Sequence, residues 1–192
     1  ATADTAPADV APTATATGTG GKAAVVLLHG VVDDYSKDML LKRIGRAKAD
    51  GARTTILELS TPGALVSAAE DTTRYLRSQD DTHVVAFVEG RALSAGIMIG
   101  LACDELVMAP HSQIGDSAPI AITSDGGLEN LGETERAKAE SPILADFYSS
   151  AVRNGYAPLL TSSMVSMKRV VHYVESPDGG EKKFVEPAEY EK

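Results

Sequence analysis

Residues 83–110 read HVVAFVEGRALSAGIMIGLACDELVMAP. The first eight, HVVAFVEG, are apolar and rich in β-branched side chains, the composition of a buried strand. SAGIMIGLACD follows without a charge until its end and reads as a short helix buried on all sides. ELVMAP is a further strand. Strand, helix and strand in so short a stretch form a βαβ unit, and such units build parallel sheets. Ser94 stands where the first strand turns into the helix.

The same alternation extends toward the N-terminus. KAAVVLLHGVV (22–32) is a near-continuous apolar run, which predicts a strand covered on both faces. DDYSKDMLLKRIGRAKADG predicts a helix capped by Asp or Ser, with Met39, Leu40, Ile44 and Ala47 at helical spacing and Gly51 as its stop. ARTTILELS is a strand, TPGA a turn, and LVSAAEDTTRYLRSQ a helix facing inward through Leu65, Ala68, Ala69, Thr72 and Leu76. The fold class expected is α/β, strands alternating with helices around a parallel sheet.

After Pro119 the pattern changes. AITSDGGLENLGETE (121–135) is polar and acidic, and reads as a long mobile loop of the kind that often serves as a lid. SPILADFYSSAVRNG then offers Ser141 as N-cap, Pro142 as the first helical residue and Gly155 as C-cap. The tail KRVVHYVESPDGGEKKFVEP predicts a hairpin turning at PDGG. Residues 1–21, almost wholly Ala, Thr, Pro, Asp and Gly, have too little apolar surface to offset their ordering entropy and read as a disordered arm. The remaining 22–192 suit a single domain.

Composition removes several function classes. The net charge is −9 without long runs of either sign, so nucleic acid is not an expected partner. The single cysteine, Cys103, excludes an internal disulfide and a cysteine-only zinc site, and reads as a small buried apolar residue. No stretch reaches the roughly 18 apolar residues of a membrane span. The chain begins at Ala with no Met, which suits removal of a signal peptide or a cut chain, and an Ala/Thr/Pro arm suits an exported tether. GTGGKA (18–23) fails as a phosphate loop, because Ala follows Lys22 and a strand comes next. The histidines His29, His83, His111 and His172 show no metal spacing, and neither a metal nor another cofactor is expected.

Two turns share a chemistry. In STPGAL (60–65) a strand ends and a helix begins, and Gly63 and Ala64 can present backbone N–H groups. In LSAG (93–96) Ser94 precedes a helix whose N-terminus favours negative charge. At the carboxyl ends of adjacent parallel strands these turns lie side by side, where such sheets place their sites. A carbonyl held between them is open to attack by Ser94, and N–H groups of both turns would hold the resulting oxyanion. From the residues alone, Ser94 is either that nucleophile or a small residue chosen for tight packing.

STPGALV followed by GRALSAGIMIGLACDELVMAPHSQIGDSAPI resembles the ClpP/crotonase superfamily, and within it the membrane-associated NfeD-type serine proteases, whose members read roughly DTPGG, ASAG and APGTxIGAAxPV. The resemblance covers residues 24 to 165. It implies a ClpP/crotonase-like spiral of parallel βαβ units, with 22–192 as a serine peptidase domain. It also implies a nucleophile at Ser94 and oxyanion N–H groups from Gly63 or Ala64 and from Ala95. Where soluble ClpP has a histidine base, this chain has Gly115, Asp116 and Ser117, and His111 comes too early. NfeD-type enzymes use a lysine beyond the mobile loop, and Lys138 occupies that slot. It is the only lysine between Lys48 and Lys168. As a base it must act neutral, which requires burial to lower its pKa from ~10.4 towards ~7–8. Ser60 and Ala64 depart from the family's Asp and second Gly.

The resemblance therefore implies a Ser-Lys endopeptidase that cleaves apolar segments of peptides or membrane proteins through an acyl-enzyme. Such a protein is expected to be extracytoplasmic or membrane-associated and to form a homo-oligomer, a dimer first. The alternatives are a catalytically inactive scaffold or interaction domain of the same fold, an acyl-CoA enzyme of crotonase type, and an α/β-hydrolase. The last lacks the first Gly of its nucleophile elbow in ALSAG.

Overall fold

The computed structural model describes residues 21–122, 127–129, 131–177 and 179–191. The expected disordered arm lies, but for Gly21, outside the described residues.

Four parallel strands stand side by side in chain order: β1 (Lys22–His29), β2 (Ala52–Thr61), β3 (His83–Leu93) and β4 (Glu105–Met108). Three helices make the crossovers between them. α1 (Asp34–Ala49) starts at a capping box. The Asp33 carboxylate accepts the Ser36 N–H at 2.8 Å, and the Ser36 hydroxyl accepts the Asp33 N–H at 2.8 Å, so two otherwise orphan donors are satisfied. α1 buries Leu40 and Ile44, one turn apart. α2 (Val66–Arg77) buries Ala68, Ala69, Thr72, Thr73 and Leu76, its small residues allowing close approach to α3. α3 (Ala95–Ala102) is buried at every residue, as its unbroken apolar sequence requires.

The sheet is covered on one face only, and here the expectation of a doubly covered first strand is corrected. Val26 and Leu28 point into the core, while Val25 and Leu27 between them are 61% and 48% exposed. The register continues this bare row from Val25 to Ile56 and Val85. The apolar run of β1 suggests two-sided burial, but α1 and α3 pack on the face of Val26, Leu57 and Val88, with α2 against both helices, and the other face is left to solvent.

β3 is long because, beside β2, it serves two partners along its other edge. Its middle pairs with β4, and Arg91–Leu93 then leave β4 and pair with the short β5 (Gln113–Gly115). Between Pro119 and Gly132 the structure has a two-stranded antiparallel ladder, β6 (Ala121–Ile122) with β7 (Leu128–Glu129), where an unstructured loop was expected.

The largest correction concerns the next helix. α4 runs from Glu133 to Asn154, with Gly132 as N-cap and Pro142 inside it, so neither Ser141 as cap nor Pro142 as first residue holds. ETERAKAE consists mostly of strong helix formers, and Glu133 and Glu135 suit the positive end of the helix dipole. Pro142 removes one hydrogen bond, to the carbonyl of Lys138, and its ring crowds that carbonyl. The C-terminus ends as expected at Gly155, in the left-handed region at φ 72°. Two short helices that start with Pro at N1 follow, α5 (Pro158–Ser163) and α6 (Pro187–Tyr190). The expected hairpin is present as β8 (His172–Glu175) and β9 (Lys182–Val185). Among the described residues no helix is long and apolar enough to cross a membrane.

Candidate active site

The two glycine-containing turns meet. Leu93 pairs with Gly115, and the Ser94 N–H donates to the Gly115 carbonyl at 2.8 Å, so β5 holds the chain up to the first residue of the turn. Ser94 itself sits at φ 55° and ψ −133°, a conformation that costs a non-glycine residue about 1–3 kcal/mol and persists only where neighbours enforce it. α3 begins at the next residue. A β-carbon on Gly63 would stand 3.2 Å from the Ser94 Cβ and 3.6 Å from its Oγ. At φ 153° the backbone of Gly63 passes directly against the serine.

The Gly63 turn is stapled to its surroundings. The Gly63 N–H donates to the Thr61 Oγ1 at 3.1 Å, and the Thr61 hydroxyl donates to the Gly63 carbonyl at 2.8 Å. That carbonyl also accepts the Val32 N–H at 3.1 Å, and the Leu65 N–H donates to the Val32 carbonyl at 2.8 Å. Of the three amides expected to hold an oxyanion, that of Gly63 is thus engaged by Thr61. Those of Ala64 and Ala95 have no acceptor among the described residues.

Between the turns lies a cavity of about 450 Å³, lined in part by Ser94, Ala95, Gly63 and Ala64. Its walls are apolar: Leu65 from the first turn, Met98 from α3, Ile120, and Ile143 and Phe147 from α4. Among the described residues Ser117 is the one other hydroxyl on its lining. A larger groove of about 560 Å³ follows the edge of β1 against α1 and contains none of these groups.

Lys138 is on α4 and exposed, and it does not line the cavity. At 3.6 residues per turn it stands about 140° around the helix axis from Ile143, facing away from the buried stripe of Ile143, Phe147 and Ala151. Pro142 falls between the two groups. Upstream, Glu133 in the first turn is paired with Lys168, whose ammonium holds the Glu133 carboxyl below its ordinary range.

None of the four histidines lines the cavity. His111 is in a turn at φ 66°, His83 opens β3 beside Glu105, and His172 stacks on Tyr190 with ring centroids 4.4 Å apart. His29 is 2.9 Å from the Glu58 carboxylate on the bare face of the sheet. Together with Glu89 these two place one donor atom each within 4.8 Å of one another, a grouping that brings three strands together and has no spacing signature in the chain. Cys103 is buried at the end of α3, and burial pushes its thiol well above the usual range.

Thr61 and Ser117 were not singled out for a role in the sequence. Thr61 lies in the strand end immediately before the Pro-Gly turn, a position from which a hydroxyl reaches two residues ahead. Nothing in the local pattern marks Ser117.

The sequence model of the NfeD1b N-terminal domain matches residues 22–184. Among curated proteins, "Membrane protein NfeD1b" of Bacillus subtilis is 31% identical over 155 residues, 81% of this chain and 33% of that protein. "Membrane-bound protease PH1510" of Pyrococcus horikoshii is 31% identical over 106 residues, 54% of this chain and 24% of that protein. The chain thus spans a third or less of the length of these relatives. Among solved structures, the 1510-N membrane-bound stomatin-specific protease was matched as two mutants. The serine-to-alanine mutant has a TM-score of 0.67 at 24% identity, covering 76% of this chain and 70% of that one. The lysine-to-alanine mutant, in complex with a substrate peptide, has a TM-score of 0.68 at 22% identity, covering 87% and 69%. ClpP1 of Listeria monocytogenes matches with a TM-score of 0.53 at 14% identity over 87% of this chain and 85% of its own. The fold is ClpP-like.

Proposed function

Because the chain belongs to the NfeD1b N-terminal domain family, we propose that its 22–192 domain is a serine endopeptidase in which Ser94 attacks and Lys138 is the general base. The observation that carries this reading is Ser94 held at positive φ on a strand-to-helix elbow, on the wall of an apolar cavity. A peptide carbonyl seated there lies against the Ser94 Oγ, and its oxygen faces the helix start. As Oγ bonds to the carbonyl carbon, the hydroxyl proton passes to Lys138 and the carbonyl oxygen becomes an oxyanion. The N–H groups of Ala95 and Ala64, which have no acceptor among the described residues, hold this charge, with that of Gly63 available only if it leaves Thr61. Collapse expels the amine, which takes the proton from Lys138, and leaves an acyl-Ser94 ester. Water activated by the same lysine hydrolyses the ester. The apolar walls favour an extended substrate with large aliphatic or aromatic side chains, as from a hydrophobic segment of a membrane protein. A homo-oligomer and an extracytoplasmic or membrane-associated setting accompany this reading.

Lys138 reaches Ser94 in this scheme only if the first turns of α4 rotate, and Pro142 supports that movement. With no N–H to give to the Lys138 carbonyl, it leaves residues 133–141 weakly tied to the anchored remainder of the helix. The exposed setting of Lys138 also supports a second reading, an inactive domain of the same fold that binds apolar peptides in the cavity without cleaving them.

Cleavage of an apolar peptide library by wild type, Ser94→Ala and Lys138→Ala separates the two. The peptidase reading expects loss of cleavage in both variants, with folding and peptide binding retained. An inert wild type that binds the same peptides and fails to react with a serine-directed phosphonate establishes the binding domain instead.

A further inference from the structure

We infer that Ser117 is a positioning residue for the oxyanion site: by holding the Ser94 carbonyl, its hydroxyl fixes the direction of the Ala95 N–H. This rests on the serine peptidase reading and assigns a role to a side chain outside the proposed Ser-Lys pair.

The argument starts from the peptide bond. The Ser94 carbonyl and the Ala95 N–H belong to one planar trans unit and point in opposite directions, so whatever grips the oxygen aims the amide. The Ser117 hydroxyl donates to the Ser94 carbonyl at 3.0 Å, with the Gly115 carbonyl a second, longer acceptor at 3.3 Å from the same hydroxyl. Ser117 is only 5% exposed, and its own N–H is fixed to the Met164 carbonyl at 2.7 Å, so the grip comes from a rigid place. The other bond to the Ser94 carbonyl, from the Ile97 N–H at 3.2 Å, is the longer of the two. Meanwhile the Ser94 amide is fixed independently by Gly115 at 2.8 Å. Both ends of the residue are therefore held by one short segment, Gly115–Ser117, whose Gly115 and Asp116 themselves adopt φ 117° and 52°. A strained elbow with its amide anchored and its carbonyl left with only the longer Ile97 bond has one cheap motion, rotation of the Ser94–Ala95 peptide, and that rotation re-aims the Ala95 N–H.

Removing the Ser117 hydroxyl leaves the Ser94 nucleophile, the β3–β5 ladder and the apolar walls in place. The loss falls on stabilisation of the oxyanion and not on substrate binding.

The test compares wild type, Ser117→Ala, Ser117→Thr and Ser94→Ala in kcat, KM and affinity for a peptide boronic acid, with the Ala95 amide resonance followed by NMR. A boronate adduct of Ser94 puts an oxygen where the oxyanion would be. Ser117→Ala is expected to keep KM within about twofold, and to lower kcat and boronate affinity by similar factors, on the order of 10–100-fold. It is expected to move the Ala95 amide resonance, while Ser117→Thr, which keeps the hydroxyl, recovers most of the loss. Unchanged kcat, boronate affinity and Ala95 resonance in Ser117→Ala overturn the inference and leave the peptidase reading standing. A loss that appears in KM and melting temperature together and is not recovered by Thr overturns it too, as a packing defect. A wild type that neither cleaves nor binds the boronate, or a Ser94→Ala variant that still cleaves, overturns both.

Discussion

Gly96 lies against Thr61 so closely that a β-carbon built on it would stand 2.4 Å from the Thr61 Cγ2. Thr61 is fully buried, and its hydroxyl staples the Gly63 turn. The start of α3 and the end of β2 therefore touch through a position where only glycine fits. Gly96→Ala is expected to destabilise the protein by about 1–3 kcal/mol through overpacking, and to displace the Gly63 turn with loss of cleavage. Gly96→Ala with Thr61→Ser, which deletes the offending methyl and keeps the hydroxyl, is expected to restore most of both. Urea unfolding and peptide cleavage on the two variants check this.

Pro142→Ala returns a backbone donor to the Lys138 carbonyl and completes the ladder of α4. The expected outcome is a more stable helix, read as slower amide exchange over 138–146. Cleavage should be slower, because the lysine is then held on the outer face of a continuous helix. Equal or faster cleavage with the helix stiffened counts against a swinging base.

Phe147 is 1% exposed and forms both a wall of the cavity and part of the core. Phe147→Ala is expected to cost about 3–5 kcal/mol, too much to separate folding from function. Ile143→Val, at about 0.5–1.5 kcal/mol, leaves the fold intact and enlarges the cavity. Its cleavage profile across a library varied at one position should shift toward larger side chains.

α4 is tied to α2 by Arg77, whose guanidinium meets the Asp146 carboxylate at 2.7 Å, the Ser150 hydroxyl at 2.6 Å and the Asp146 carbonyl at 3.1 Å. Both partners are largely buried, and the second Asp146 oxygen, Oδ2, has no hydrogen bond. Arg77→Ala leaves that carboxylate unpaired and should destabilise by about 1–3 kcal/mol. Arg77→Ala with Asp146→Ala should recover part of the loss. Denaturant midpoints for the full double-mutant cycle measure the coupling.

The Cys103 thiol, its pKa raised by burial, is expected to stay neutral through pH 8 and to resist alkylation in the native protein. Because its folded value lies above its unfolded one, ionisation at high pH favours the unfolded state. Stability is unaffected near neutrality and falls as pH rises through the unfolded thiol range. Thiol titration with and without denaturant, from pH 7 to pH 10, reads both effects.

The parallel sheet and its first three crossovers were legible because each rests on local pattern: apolar runs, helical spacing and turn residues between them. The pairing of the two turns at Ser94 and Gly63 followed from topology alone. What escaped was set at a distance. Val25 and Leu27 look like core residues in the chain, and only the placement of α1 and α3 on the opposite face exposes them. Pro142 signals a helix start locally, yet the helix formers before it carry α4 two turns further. Ser117 matters through an oxygen twenty-three residues away in sequence, and no spacing rule links them.

β3 passes from β4 to β5 before it reaches Ser94. The serine is therefore fastened to the most extensively paired strand of the sheet, and its backbone is expected to open only with the sheet, among the slowest-exchanging amides of the molecule. Lys138 is mounted on the opposite kind of support, the first turns of a helix that lack one backbone bond at Pro142. Substitutions that retune the rate without endangering the fold are then expected to accumulate in residues 133–141, and those around Ser94 to be all-or-none. If the proposed Ser94–Lys138 pair operates, selection would act on one partner and leave the other fixed.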